Sequence, residues 1–166
     1  MDSPQNIKEK RLEELVFVFC EERLVWSPLE DGEKEPSYTR RVLYPQFKKF
    51  VDDLGDKQVS LASDGTQNRP TPVLIGHGQK FFPDMSISVF GGRSIAFEVK
   101  FLGDQSFSGS LATAVGQALV YSTCGYSYAH ALLVGSAGSK AIFDDDKVRL
   151  NAGLGQVGVT IHFLSN

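Results

Sequence analysis

The chain has 166 residues, 42% hydrophobic and 22% charged, with a formal net charge of −3. That balance suits one folded domain and excludes disordered, collagen-like and fibrous chains. The longest unbroken apolar run, Leu15 to Cys20, is bounded by Glu14 and Glu21 and falls far short of the roughly 20 residues a membrane-spanning helix needs.

The amino terminus carries acids and Pro4 ahead of any apolar stretch, which is not the order of a secretory signal, so a cytoplasmic location is expected. Residues Asn6 to Val25 predict a first helix on the spacing of Ile7, Leu12, Leu15, Val16, Phe19 and Arg23, capped by Ser3 or Asn6. Its later half is apolar nearly all round, which predicts burial. Trp26 to Ser37, with Pro28, Gly32 and Pro36, reads as a polar loop. Pro45 then opens a second amphipathic helix carrying Phe47, Phe50, Val51 and Leu54, closed by Gly55. A loop is expected over Leu61 to Pro72. From Val73 onward the pattern turns to strands, interrupted by one helix between Ser108 and Gly125 and by a short irregular piece before a last strand, Val159 to Leu164. The expectation is a single α/β domain with a mixed central sheet flanked by helices: a helical part over residues 1–60, a core over 73–135 and a final strand within 157–164. Cys20 and Cys124 both lie in apolar runs and are expected to be buried free thiols.

The stretch Pro83 to Phe101 reads as a hairpin around Gly91-Gly92-Arg93. Met85, Ile87 and Val89 alternate with polar residues on one strand, and Ile95, Phe97, Val99 and Phe101 alternate with Ser94, Ala96, Glu98 and Lys100 on the other. A three-residue loop pairing Phe90 with Ser94 keeps the apolar faces matched, and it sets Ser86 opposite Glu98 and Asp84 opposite Lys100. Opposed side chains on one face have Cβ atoms roughly 5 Å apart, so Asp84, Glu98 and Lys100 should form one cluster. Two carboxylates this close repel unless a cation lies between them. Lys100 is one such cation. Mg²⁺ is another, since it takes oxygen ligands and keeps waters, with the Val99 backbone carbonyl at the same level. A solvated cross-strand ion-pair network is the alternative reading of the same residues.

Pro83-Asp84, thirteen intervening residues and Glu98-Val99-Lys100 resemble the signature of the PD-(D/E)xK nuclease superfamily, which includes restriction endonucleases, Holliday-junction resolvases and recombination exonucleases. Gln117 and Tyr121 in the following helix resemble the QxxxY motif of its recombination-exonuclease and resolvase branches, and their spacing of four places them on one helical face. The resemblance covers Val73 to about Gly135, including the strand Ala129 to Val134 expected beside the hairpin. It implies a restriction-endonuclease-like fold and a Mg²⁺- or Mn²⁺-dependent deoxyribonuclease, an endonuclease in its most direct form. Asp84 and Glu98 would be metal ligands with the Val99 carbonyl, and Lys100 would position the attacking water. It further implies an acidic residue from the first helix, Glu14 or else Glu13 or Glu21, and a histidine upstream of the aspartate, His77, as additional metal ligands. Many small nucleases of this kind act as homodimers, so a dimer is a further expectation.

DNA contacts would come from Lys8, Lys10 and Arg11, from Arg40 and Arg41, and from Lys48 and Lys49, each group being equally readable as a solvated helix face. Phe81 and Phe82 precede Pro83 and would either stack on bases or pack in the core. The competing functional classes are a catalytically inactive module of the same fold that binds nucleic acid or protein, and an enzyme acting on small phosphorylated ligands. Gly153-Leu-Gly155-Gln-Val-Gly158 matches a dinucleotide-binding fingerprint but no helix is expected after it, so it reads as a turn. Asp144-Asp145-Asp146 lacks the spacing of a calcium loop and reads as a turn or helix cap. His130 and His162 have no cysteine or histidine at zinc spacing, so no zinc site is expected.

Overall fold

A first helix, α1 (Pro4–Val18), widens into a π-type turn over Phe19–Arg23. This computed structural model describes residues 4–102, 107–135 and 144–164, and the side chains of residues 4–7, 107 and 144–146 lie outside that description, as does the candidate cap Ser3. Leu12, Val16, Phe19 and Cys20 are buried, whereas Leu15, Phe17 and Val18 are about two fifths exposed, so the apolar second half of α1 has one wet face rather than none. The expected loop holds only as far as Lys34. A short helix α2 (Glu35–Tyr38) follows, with Pro36 in its first turn where the missing N–H costs nothing. Its wide turn over Thr39–Leu43 runs directly into α3 (Tyr44–Asp53), which ends at Gly55 in the left-handed region (φ +64°).

Strand formation begins earlier than Val73. Val59–Ser63 forms β1, an edge strand whose last three residues fall in the segment from Leu61 that reads as a loop. β2 (Val73–Ile75) and β3 (Gln79–Phe81) form a separate two-stranded ribbon. β4 (Met85–Val89) and β5 (Ile95–Leu102) are the expected antiparallel hairpin. After α4 (Phe107–Cys124), β6 (Tyr128–Gly135) lies parallel beside β5. The expected irregular piece is a helix, α5 (Asp144–Leu154), and β7 (Val159–Leu164) ends the described chain parallel to β6. The sheet order is β1-β4-β5-β6-β7, so a mixed sheet forms with β5 at its centre.

The sheet has two dry faces. Met85, Ile87, Val89, Ile95, Phe97, Val99, Leu132 and Val134 pack against α1, α2 and α3, with Phe47 edge-on to Phe97 at 4.7 Å. Ala96, Ala129, Ala131, Leu133 and Ile161 face α4, through Ala114, Ala118 and Tyr121, and the partly buried Leu150 and Leu154 of α5 pack against the same cluster. The result is a mixed α/β fold with helices on both sides of the sheet, and no described helix is long and apolar enough to cross a membrane. Both cysteines are free thiols. Cys20 is buried as expected, but Cys124 is exposed because it ends α4 on that helix's outer side.

The hairpin register differs from the expected one by two residues. Ile87 opposes Ile95, Ser86 opposes Ala96 and Met85 opposes Phe97. The turn is responsible: Phe90 and Gly91 both take positive φ, and Gly92 N–H closes on the Val89 carbonyl at 2.9 Å. Ser94 then leaves the ladder, and its hydroxyl accepts the Val89 N–H at 3.0 Å in place of a backbone partner. A shift of two leaves every side chain on its expected face. It nevertheless sets Asp84 across from Glu98, not from Lys100, so the two carboxylates confront each other.

Candidate active site

β4, β5, α2 and α4 converge where the hairpin opens. Asp84 directly precedes β4: its N–H donates to the Phe97 carbonyl at 3.0 Å, and its Oδ2 accepts the Val99 N–H at 2.7 Å. The side chain thus replaces the next rung of the ladder and pins the carboxylate over β5. Glu98 projects from β5 toward α4 and is 2% exposed. Its Oε1 lies 2.8 Å from Lys100 Nζ, and its Oε2 lies 2.9 Å from the Tyr121 hydroxyl on α4.

Lys100 is fully engaged. Its ammonium meets Glu98 at 2.8 Å, Glu35 Oε2 at 3.1 Å and the Val99 carbonyl at 3.2 Å, which accounts for all three of its protons. Glu35 Oε1 also accepts the Phe101 N–H at 3.0 Å, so α2 is latched to β5 through this one carboxylate. Glu35 is the acidic residue that reaches the cluster from the helical part. Of the candidates on the first helix and its terminal turn, Glu14 is exposed, while Glu13 and Glu21 face His130 and His162.

Burial is the main force on these charges. It pushes Asp84 upward, only partly countered by the Val99 N–H and Lys100. It pushes Glu98 further, to about 7, reinforced by the facing Asp84 and partly offset by Lys100 and Tyr121. For Lys100 burial opposes the charge, but Glu98 and Glu35 outweigh it and hold the ammonium above its ordinary range. Tyr121 is raised as well, by burial and then by Glu98. The Tyr121 hydroxyl lies 3.0 Å from the Phe82 carbonyl and 2.9 Å from Glu98, yet it has one proton to give. A protonated Glu98 resolves the conflict by donating to the tyrosine oxygen, which frees the tyrosine proton for Phe82. The site as folded gathers three carboxyl groups, Asp84, Glu98 and Glu35, around its one lysine.

Gln117 lies one turn before Tyr121 on α4, and its Oε1 is buried without a hydrogen-bond partner. His77 is exposed at the tip of the β2–β3 turn with φ +64°. Phe81 packs against the α4 side of the core, while Phe82 is 52% exposed next to Pro83 and Asp84.

The basic candidates divide. Lys8 is paired with Asp56 and lies over the Phe90 ring, Arg41 is held by Glu33 and Glu30, and Lys48 by Asp52. Arg11, Arg40 and Lys49 are exposed and carry no ion pair among the described residues. Arg40 is the one placed near the cluster, because its guanidinium covers Gly65, where an added Cβ would stand 3.1 Å from Nη1. Gly65 follows Asp64, whose N–H donates to the Asp84 carbonyl at 2.9 Å.

No family profile, curated protein or solved structure matches this chain. The assignment of its chemistry rests on the site itself.

The donor set at Asp84, Glu98 and Val99 fits a hard divalent cation. All are oxygens, each carboxylate oxygen uses one lone pair at most in the contacts above, and the pair is destabilised as anions in the absence of added positive charge. Two carboxylates and a carbonyl suit Mg²⁺, which retains several waters.

Proposed function

We propose that the chain is a Mg²⁺- or Mn²⁺-dependent deoxyribonuclease of the PD-(D/E)xK type with a restriction-endonuclease-like fold, cutting DNA phosphodiester bonds internally. The observation that carries this reading is the convergence on one patch of Asp84, Glu98 and Lys100 from the hairpin with Tyr121 from the following helix. An exposed ion-pair network would not bury a carboxylate to 2% and raise it to about 7.

Asp84, Glu98 and the Val99 carbonyl would hold the cation. A divalent ion held there would make a water acidic enough to attack near neutral pH and would offset charge on the phosphate. Lys100 stays protonated, held so by Glu98 and Glu35, and therefore acts as a positioning and charge-stabilising group rather than as a base. Its longest contact, to the Val99 carbonyl, is the one that a water or phosphate oxygen would replace. Tyr121 fixes the Glu98 carboxylate from behind, and Glu35 fixes the lysine. Arg40 and the exposed Phe82 ring flank the patch, one suited to a phosphate and the other to a base.

The reading is tested by incubating single-stranded, duplex and branched DNA with the chain in Mg²⁺, Mn²⁺ or EDTA. Metal-dependent internal cutting of at least one substrate is expected, declining steeply with salt because few phosphates are contacted. Metal-dependent DNA binding without cutting on any substrate would assign the site to a non-catalytic module instead.

A further inference from the structure

A second cluster of ligand-type side chains lies away from the acidic patch. Among the described residues, Cys20, His130 and His162 are the trio of His, Cys, Asp or Glu side chains whose donor atoms all lie within 4.8 Å of one another, and all three are buried. They come from three elements. Cys20 sits in the π-type turn that ends α1, a local widening frequent at functional positions. His130 and His162 come from the parallel pair β6 and β7, where His130 opposes Thr160, so that His162 lies two residues further along on the same face. Their rings are parallel within 1° and meet edge to edge, with centroids 5.1 Å apart and His130 Nδ1 2.8 Å from His162 Nε2.

The hydrogen bonding around the pair is incomplete in an informative way. His162 Nδ1 meets the Glu21 carboxylate, which can only accept, so that nitrogen carries the proton and Nε2 is left with a lone pair. His130 Nδ1 must then donate to it. This leaves His130 Nε2 as a bare acceptor in a side chain 1% exposed, and it has no hydrogen-bond partner. The nearest charged group is Glu13, whose Oε1 is 3.9 Å away and cannot donate when ionised. Such an orphan in a dry core is a real cost.

We infer that Cys20 Sγ, His130 Nδ1 and His162 Nε2 form a binding site for a zinc-class transition metal that clamps α1 to β6 and β7. The cation takes the place of the proton now shared by the two rings. The proton displaced from His130 Nδ1 moves to Nε2, which then donates toward Glu13, and the Cys20 proton leaves to solvent as the thiolate binds. Each imidazole is thereby backed by a carboxylate, Glu21 behind His162 and Glu13 behind His130, the arrangement that orients histidine ligands in metal sites. Nitrogen and sulfur donors select Zn²⁺ or Co²⁺ over Mg²⁺. A fourth position remains for water or a carboxylate oxygen. The inference is independent of the nuclease reading, because it shares no residue with the acidic patch.

The test is a Co²⁺ titration of the full chain, metal-stripped and reduced, in a Cys124→Ser background with excess Mg²⁺ present to occupy oxygen sites. One equivalent of Co²⁺ should give a thiolate-to-cobalt charge-transfer band with four-coordinate d–d absorption, and Zn²⁺ should bleach both. Cys20→Ser should remove the charge-transfer band, and Asp84→Asn should leave it intact. Glu21→Gln, which spares all three ligands, should retain the band while weakening the metal roughly 10- to 100-fold. Absence of a charge-transfer band in the parent, or a spectrum unchanged by Cys20→Ser, overturns the inference. Circular dichroism of Cys20→Ser separates loss of a ligand from loss of fold.

Discussion

Replacing Asp84 with Asn is expected to lower metal-dependent DNA cutting by roughly 100- to 1,000-fold, the scale lost when a preorganised charge is removed from a reacting centre. The substitution is a clean probe because Asn keeps an oxygen to accept the Val99 N–H that Asp84 Oδ2 accepts at 2.7 Å. The hairpin should therefore fold as before, and circular dichroism should be unchanged. What disappears is one of the two negative charges that make the patch attractive to a divalent ion, together with the repulsion that helps to raise Glu98. The loss should be visible in initial nicking rates at saturating Mg²⁺. A rate within tenfold of the parent would remove Asp84 from the proposed metal ligands.

The second large effect is on stability and runs the opposite way. In the folded chain Glu98 binds its proton up to about pH 7, against an ordinary value of 4.5, because it is buried opposite Asp84. The native state thus holds a proton that the unfolded state releases between those values, so the contribution of Glu98 to native stability falls as pH rises from about 4.5 to 7 and levels off above. At pH 8 the accumulated cost is about 3 kcal/mol as an upper bound. Glu98→Gln does not titrate. In EDTA it should melt several degrees above the parent at pH 8, and the gap should close toward pH 5. Added Mg²⁺ should stabilise the parent, by about 2.7 kcal/mol at a hundredfold excess over its dissociation constant, and leave the glutamine variant unmoved. A gap between Glu98→Gln and the parent that is the same at pH 8 as at pH 5 in EDTA would show that Glu98 is not held neutral by its surroundings. The comparison is with the variant because the buried His130 and His162, held below their ordinary range, push parent stability the other way over the same pH range. Stability given up at one carboxylate is what a site built for a cation predicts.

Asp84, Glu98 and Lys100 were legible in the sequence because strand alternation has a period of two, and even a two-residue error in hairpin register returns each side chain to the same face. The error lay in the turn, where Phe90 adopts a positive φ that a bulky residue rarely takes. Tyr121 stood out only through the resemblance of Gln117 and Tyr121 to the QxxxY motif, and its hydroxyl meets Glu98 at 2.9 Å. Glu35 was not. Pro36 and Gly32 made Trp26 to Ser37 read as a loop, although Pro in a first turn is also a helix start, and Tyr38 and Val42, both buried, give a helical step of four. The short strand β1 was masked for a similar reason, since five residues between polar stretches carry too little periodicity to stand out. Cys20, His130 and His162 were out of reach, because their meeting depends on parallel pairing of β6 with β7 and on where α1 ends against them, and neither is encoded in local spacing.

The central claim is that the patch of Asp84, Glu98 and Lys100 hydrolyses phosphodiesters with a bound divalent ion, and it is tested most directly on supercoiled plasmid. Parent and Lys100→Ala are compared side by side with Mg²⁺, with Mn²⁺ and with EDTA. The account predicts conversion to nicked or linear DNA by the parent in either metal, none in EDTA, and loss of cutting in the folded alanine variant. Cutting that persists in EDTA, or that survives unchanged in Lys100→Ala, would contradict it.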